Sequence, residues 1–177
     1  MDSDYFSELF SQVGVQSMTI GSAVALILAM LLLLVSGFIS ASEVAFFSLS
    51  PNDINEVKEE NNPVDSLILT LLEKTEYLLA TILITNNFVN VAIVMLCTYG
   101  IHSWLDFSAV PVLGFILETV VLTFLLLLFG EIMPKIYAQQ KTLSFVRRSA
   151  PTLDSLQKIC KPLSSVLVHS TSFINKL

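Results

Sequence analysis

Three short groups of oxygen-bearing residues stand in stretches of this chain that are otherwise apolar. The first holds Ser36, Ser40, Ser42 and Glu43; Ser36 and Ser40 are four residues apart and Glu43 three further, so these three share one face of a helix. The second holds Asn86, Asn87 and Asn90. Here Asn86 and Asn90 stack on one face, and Asn87 points roughly 100° away. The third is Gly130-Glu131-Ile132-Met133-Pro134. Proline has no N–H, so in an α-helix the carbonyl four residues back, on Gly130, loses its partner beside the Glu131 carboxylate. Hydroxyl (Ser40), amide oxygens (Asn86, Asn90), carboxylate (Glu131) and a freed carbonyl (Gly130) are all hard ligands. They suit Mg²⁺, Ca²⁺ or Na⁺, whereas zinc and copper sites favour Cys and His. With one carboxylate against a divalent ion, such a site stays net positive and favours release over storage. Ser42, Asn87 and Glu43 are secondary candidates.

Each group also has a purely structural explanation. Ser36 and Gly37 fit a small-residue packing seam, asparagines in a span serve as interhelical glue, and Glu131 can pair with Lys135 one turn on. These residues alone indicate an intramembrane hard-cation site and leave the ion open.

The elements that must position them follow from composition. The chain has 177 residues, 54% hydrophobic and 14% charged, with the apolar residues in blocks. Met18–Ile39, Tyr77–Ile101 and Ala109–Met133 are each long enough to cross a ~30 Å hydrocarbon core as helix. The blocks are continuous and Leu-rich, which excludes the alternation of a β-barrel, and lipid forces the backbone to bond within itself. The fold class is thus an all-α membrane protein: three transmembrane helices plus cytoplasmic juxtamembrane amphipathic helices. Met1–Gln16 carries Asp2, Asp4 and Glu8 and no basic residue, the reverse of a signal peptide. All nine basic residues lie between spans one and two or after span three, so the positive-inside rule places the N-terminus outside and the C-terminus in the cytoplasm.

Residues 1–17 form an extracytoplasmic segment in this scheme, 18–134 the membrane domain and 135–177 a juxtamembrane belt. The connection Asn52–Glu76 is charged, with a short amphipathic turn at Val64–Leu72. In the belt, Leu153, Leu156, Ile159, Leu163 and Val166 recur at helical spacing, with an interruption at Pro162. The chain ends at Leu177 without an obvious stop, as expected of the membrane part of a longer protein. Cys97 and Cys160 imply no disulfide, no dense basic patch supports nucleic-acid binding, and His102 and His169 read as surface residues. Glu43, Glu118 and Glu131 are unaccompanied by a nucleophile or hydrolase motif, so an enzyme is not expected.

At these same residues the chain resembles the transmembrane domain of the CorC/CNNM (cyclin M) family of magnesium transporters. The likeness runs from about Ala23 to Ala138 through SGFISASEVAFFSLS (Ser36–Ser50), LLATILITNNFVNV (Leu78–Val91) and LLFGEIMPK (Leu127–Lys135). It implies Mg²⁺ transport, as export coupled to Na⁺, by a homodimer in the bacterial inner membrane. It also implies ion binding at Ser40, Asn86, Asn90 and Glu131. Thr85 and Ala41 stand where the family usually has glycine, adding bulk near the site. The family's cytoplasmic CBS domains are absent from these 177 residues. Some bacterial relatives are associated with gliding motility, which sets a non-transporting membrane scaffold beside transport as the alternative.

Overall fold

The computed structural model describes residues 13–59 and 62–174. A two-residue strand β1 (Gly14–Val15) leads into helix α1 (Ile20–Phe47). Helices α2 (Pro51–Glu59) and α3 (Pro63–Glu73) follow, then the long helix α4 (Thr75–Trp104) and strand β2 (Leu105–Asp106). Helix α5 (Pro111–Leu125) continues through a π-helical segment (Leu126–Ile132) into α6 (Met133–Gln140), and α7 (Thr142–Ile174) completes the described chain. Among the described residues, three helical stretches are long and apolar enough to cross a membrane: Ile20–Phe47, Thr75–Trp104 and Pro111–Gln140. At 28 residues, α1 is roughly 42 Å long and outruns the hydrocarbon core.

The two ends of this three-helix unit differ. At one, β1 pairs antiparallel with β2, Gly14 opposite Asp106 and Val15 opposite Leu105. The Thr19 side chain caps α1 by accepting from the Ser22 N–H. At the other, basic end, α2, α3 and α7 gather beneath the spans. The expected connection with one short turn is instead two helices, each with its own start signal. Ser50 and Asp53 form a reciprocal capping box: Ser50 N–H donates to Asp53 Oδ2 at 2.8 Å, and Asp53 N–H to Ser50 Oγ at 3.2 Å. The Ser50 hydroxyl and N–H together hold the Asp53 carboxyl below its usual range. Asn62 caps α3 ahead of Pro63 at its first position.

α6 carries the third span's helix on to Gln140, with Lys141 as its C-cap. One further sequence expectation is corrected here: Pro162 does not interrupt the belt helix, since α7 runs from Thr142 to Ile174 through both Pro151 and Pro162. Its apolar residues divide between two faces. Val146, Ala150 and Leu153 are fully buried against the core, whereas Ile159, Leu163 and Val166 point away from it. Further along, α7 turns polar residues inward: Ser164 Oγ lies 3.1 Å from Thr81 Oγ1 and Cys160 Sγ 3.6 Å from Thr85 Oγ1 on α4. The apolar periodicity therefore marks the outer face of the second half of α7, and a satisfied polar seam marks the packed one.

Arg147 locks this arrangement. Its guanidinium donates to both carboxylate oxygens of buried Asp65 on α3 (Nε–Oδ1 3.0 Å, Nη2–Oδ2 3.3 Å) and reaches Glu56 on α2 at 3.4 Å. One planar side chain thus ties three helices together, as bidentate geometry favours.

Candidate cation site

The site is built where α1, α4 and the π segment meet. Ser36 sits on the buried face of α1, with its Oγ 2.9 Å from Asn86 Oδ1 and 2.6 Å from Asn90 Oδ1. The i, i+4 spacing of the two asparagines brings both amide oxygens to one hydroxyl. A serine hydroxyl carries one hydrogen, so three oxygens here share a single proton. One amide oxygen therefore faces a lone pair rather than a donor, and the trio is one donor short.

Ser40, one turn further along α1, is buried, and its Oγ has no hydrogen-bond partner. Mid-helix serines normally bond back to the carbonyl four residues earlier. Ser42 does so, donating to Phe38 O at 2.7 Å, and Ser40 does not. An unsatisfied buried hydroxyl costs about 1–3 kcal/mol.

The third side is the π segment. A Cβ on Gly130 would lie 3.4 Å from Ser36 Oγ, so the backbone here rests directly against the oxygen trio. A Cβ on Gly37 would come within 2.9 Å of Pro134 Cγ and 3.2 Å of the Phe129 carbonyl oxygen. Only glycine at position 37 allows that approach. The π register also changes the count of free carbonyls. Met133 N–H donates to Leu128 O, and the α-helix resumes with Ile132 as its N-cap. Between them lie the carbonyls of Phe129, Gly130 and Glu131, with the Lys135 N–H as the one donor in line because Pro134 has none. The α-helical expectation freed Gly130 alone; the wider turn leaves two of these three carbonyls without a helical partner.

The remaining candidates fall in different places. Glu131 is half-buried and has no hydrogen-bond or ion-pair partner among the described residues. Lys135, its expected partner, instead pairs with Glu43 at 3.2 Å. Glu43 is thereby engaged at the wall of a ≈ 490 Å³ cavity that Val44, Phe47, Ser48, Leu79 and Gln139 also line. Asn87 is exposed, its amide donating to Leu83 O at 2.9 Å, so it stands apart from Asn86 and Asn90. Ser36, which sequence reasoning gave to a packing seam, is the residue that joins the asparagines. The signal was present in its shared face with Ser40, but spacing within one helix does not show what lies opposite. The bulk of Thr85 is turned toward α7, its hydroxyl donating to Thr81 O at 2.7 Å, and Ala41 is buried in the core. Among the described residues no group of three or more His, Cys, Asp or Glu is arranged to hold a metal, so any ion here meets hydroxyl, amide and carbonyl oxygens first.

His102 is not the ordinary surface residue expected of it. Its Nε2 lies 3.1 Å from Glu118 Oε2, joining the ribbon end of α4 to α5. The side chain of His169 falls outside the described residues.

Three membrane-length helices that enclose a buried cluster of hydroxyl, amide and carbonyl oxygens define an integral membrane protein with a polar centre inside its spans. Comparison with known proteins narrows this. The family model described as the cyclin M transmembrane N-terminal domain matches residues 27–177, and the chain belongs to that family. A UPF0053 protein of Haemophilus influenzae is 33% identical over 138 residues, covering 77% of this chain and 31% of its own. The UPF0053 inner membrane protein YfjD of Escherichia coli is 28% identical over 144 residues, covering 81% and 32%. The chain spans just under a third of the length of each of these relatives.

Proposed function

We propose that this chain moves Mg²⁺ across the bacterial inner membrane, as Na⁺-coupled export, working as a homodimer with its N-terminus outside and its basic end in the cytoplasm. The observation that carries this is the oxygen trio of Ser36, Asn86 and Asn90, with one proton among three oxygens, beside the unpartnered hydroxyl of Ser40 and the freed carbonyls of the π segment. A hard cation takes the place of the donor that this arrangement lacks. Ser36 and the asparagines offer neutral oxygens, and Glu131 adds one carboxylate on the same segment as Gly130. Such weak ligand charge suits an ion that must leave as readily as it enters. Na⁺ takes the same ligand types, which is the basis for placing its coupling at this site. Membership of the cyclin M family and the confinement of basic residues to one end support the cargo and the orientation.

A second reading has its own observation. The Ser36 hydrogen bonds also tie α1 to α4, which is what a membrane scaffold without a cargo needs. Thermal unfolding of the full chain against increasing Mg²⁺, with Ca²⁺ and Na⁺ alongside, separates the two. Transport predicts that Mg²⁺ raises the melting temperature with concentration, and that Ser36→Ala and Glu131→Gln each abolish the rise. No rise in the parent chain overturns the cation site in favour of the scaffold. A rise undiminished in both variants places the ion elsewhere.

A further inference from the structure

At the ribbon end of the spans, about 10 Å of helix inward from Pro111, Glu118 is buried at 8% exposure in a segment without another ionisable side chain before Glu131. Its Oε2 meets His102 Nε2 at 3.1 Å, while its Oε1 is buried with no partner. His102 is 56% exposed and borders a ≈ 320 Å³ cavity shared with Asp106, Phe107 and Pro111, so water reaches the imidazole but not the carboxylate. An ionised carboxylate removed from water, with one oxygen unsatisfied, depends on its counter-charge. At the basic end the chain meets that need with arginine, which is always charged. Here it uses histidine, the side chain whose charge changes between about pH 5 and 8.

We propose that His102 and Glu118 form a proton-binding site, separate from the cation site, that clamps the ribbon ends of α4 and α5 together most tightly while the imidazole is positively charged.

The charge states follow directly. With the imidazole protonated and the carboxylate ionised, the pair is neutral as a whole and closes at hydrogen-bond distance. As pH rises, the exposed ring gives its proton to water, and Glu118 is left buried without counter-charge, so the clamp weakens. The other titratable groups facing the pair are few. On α4, Cys97 lies within electrostatic reach of Glu118. In β2, Asp106 is committed to the loop: it accepts from the Ser108 N–H at 2.9 Å and the Gln16 amide at 3.3 Å. The Ser108 contacts, with that of Gln16, hold the Asp106 carboxyl below its usual range and so below the window in which histidine titrates. On α1 the described ionisable residue is Glu43, at the opposite end. On α5, Glu118 stands alone.

Trp104, the single tryptophan of the chain, lies two residues from His102 and reports on this corner. The experiment follows its emission and the melting temperature of the full chain in nanodiscs from pH 5 to 9, without added Mg²⁺. The parent should show a pH-dependent change in Trp104 emission and a fall in melting temperature of roughly 3 °C toward alkaline pH. His102→Gln should remove both, and Glu118→Gln should do the same with side-chain shape preserved. His102→Arg should keep the low-pH emission up to pH 9. An emission change that survives in His102→Gln, or its absence from the parent, overturns the proposal. If Glu118→Gln does not fold, the Gln and Arg variants at position 102 decide the matter.

Discussion

The oxygen trio in the middle of the spans and the Arg147 clamp at the basic end are both interhelical polar contacts, yet they are satisfied to opposite degrees. Arg147 brings rigid donors to two oxygens of Asp65 and one of Glu56, and the fork matches its acceptors. At Ser36, two acceptors compete for one hydrogen, and Ser40 nearby has neither donor nor acceptor. A complete set of partners is what structural adhesion requires. An incomplete set, buried among neutral oxygens, costs stability unless a ligand completes it. Distance from water explains why the trio avoids formal charge while the clamp uses it.

This contrast breaks most sharply at the clamp. Arg147→Ala leaves Asp65 buried without its partner and should cost about 3–5 kcal/mol, read as a drop in thermal stability. Replacing both partners together, Arg147→Met with Asp65→Leu, should recover most of that loss. If the double change is as damaging as the single one, the clamp is not an isolated pair. The next largest effect falls on the wall of the trio. Gly37→Leu forces side-chain atoms into Pro134 and the Phe129 carbonyl, and should cost about 1–3 kcal/mol. It should also abolish any Mg²⁺-dependent stabilisation, since the π segment must retreat from Ser36.

Ser36→Ala sharpens the comparison from inside the site. Without ion it should cost only about 1 kcal/mol, because the hydrogen bond it removes is shared and incomplete. A much larger loss, measured by denaturant or thermal unfolding, would make the trio structural adhesion like Arg147. The smallest effect belongs to the capping box at Ser50 and Asp53. The Asp53 carboxyl is held low in the folded chain, so its contribution is present above the ordinary carboxylate value of about 3.9. It is lost as pH falls through the lower folded value. Amide exchange in α2 should therefore accelerate toward pH 3 in the parent and change less in Asp53→Asn.

Much of the architecture was legible in the residues. Continuous apolar blocks give spans because lipid permits the backbone no partner but itself, and the i, i+4 spacing of Asn86 and Asn90 places both on one face whatever surrounds them. Local propensity was less decisive at Pro162. Both prolines of α7 are carried inside the helix because tertiary packing of Val146, Ala150 and Leu153 on one side and Cys160 and Ser164 on the other holds it in place. The apolar stripe of Ile159, Leu163 and Val166 gives an amphipathic helix but not which of its faces packs, since in a membrane protein the side turned from the protein is as apolar as a core.

The sequence by itself determined the spans, the end at which the basic residues gather, the pairing of asparagines on one face and the proline that strips a hydrogen bond from span three. These depend on period, length and the chemistry of single residues. Tertiary structure decided that Ser36 joins the asparagines, that Lys135 takes Glu43, that a π turn leaves two carbonyls free, and that His102 reaches Glu118. Each of these depends on which faces of separate helices meet and in what register, and helical periodicity fixes a residue's angle about its own axis but not its neighbour across the gap.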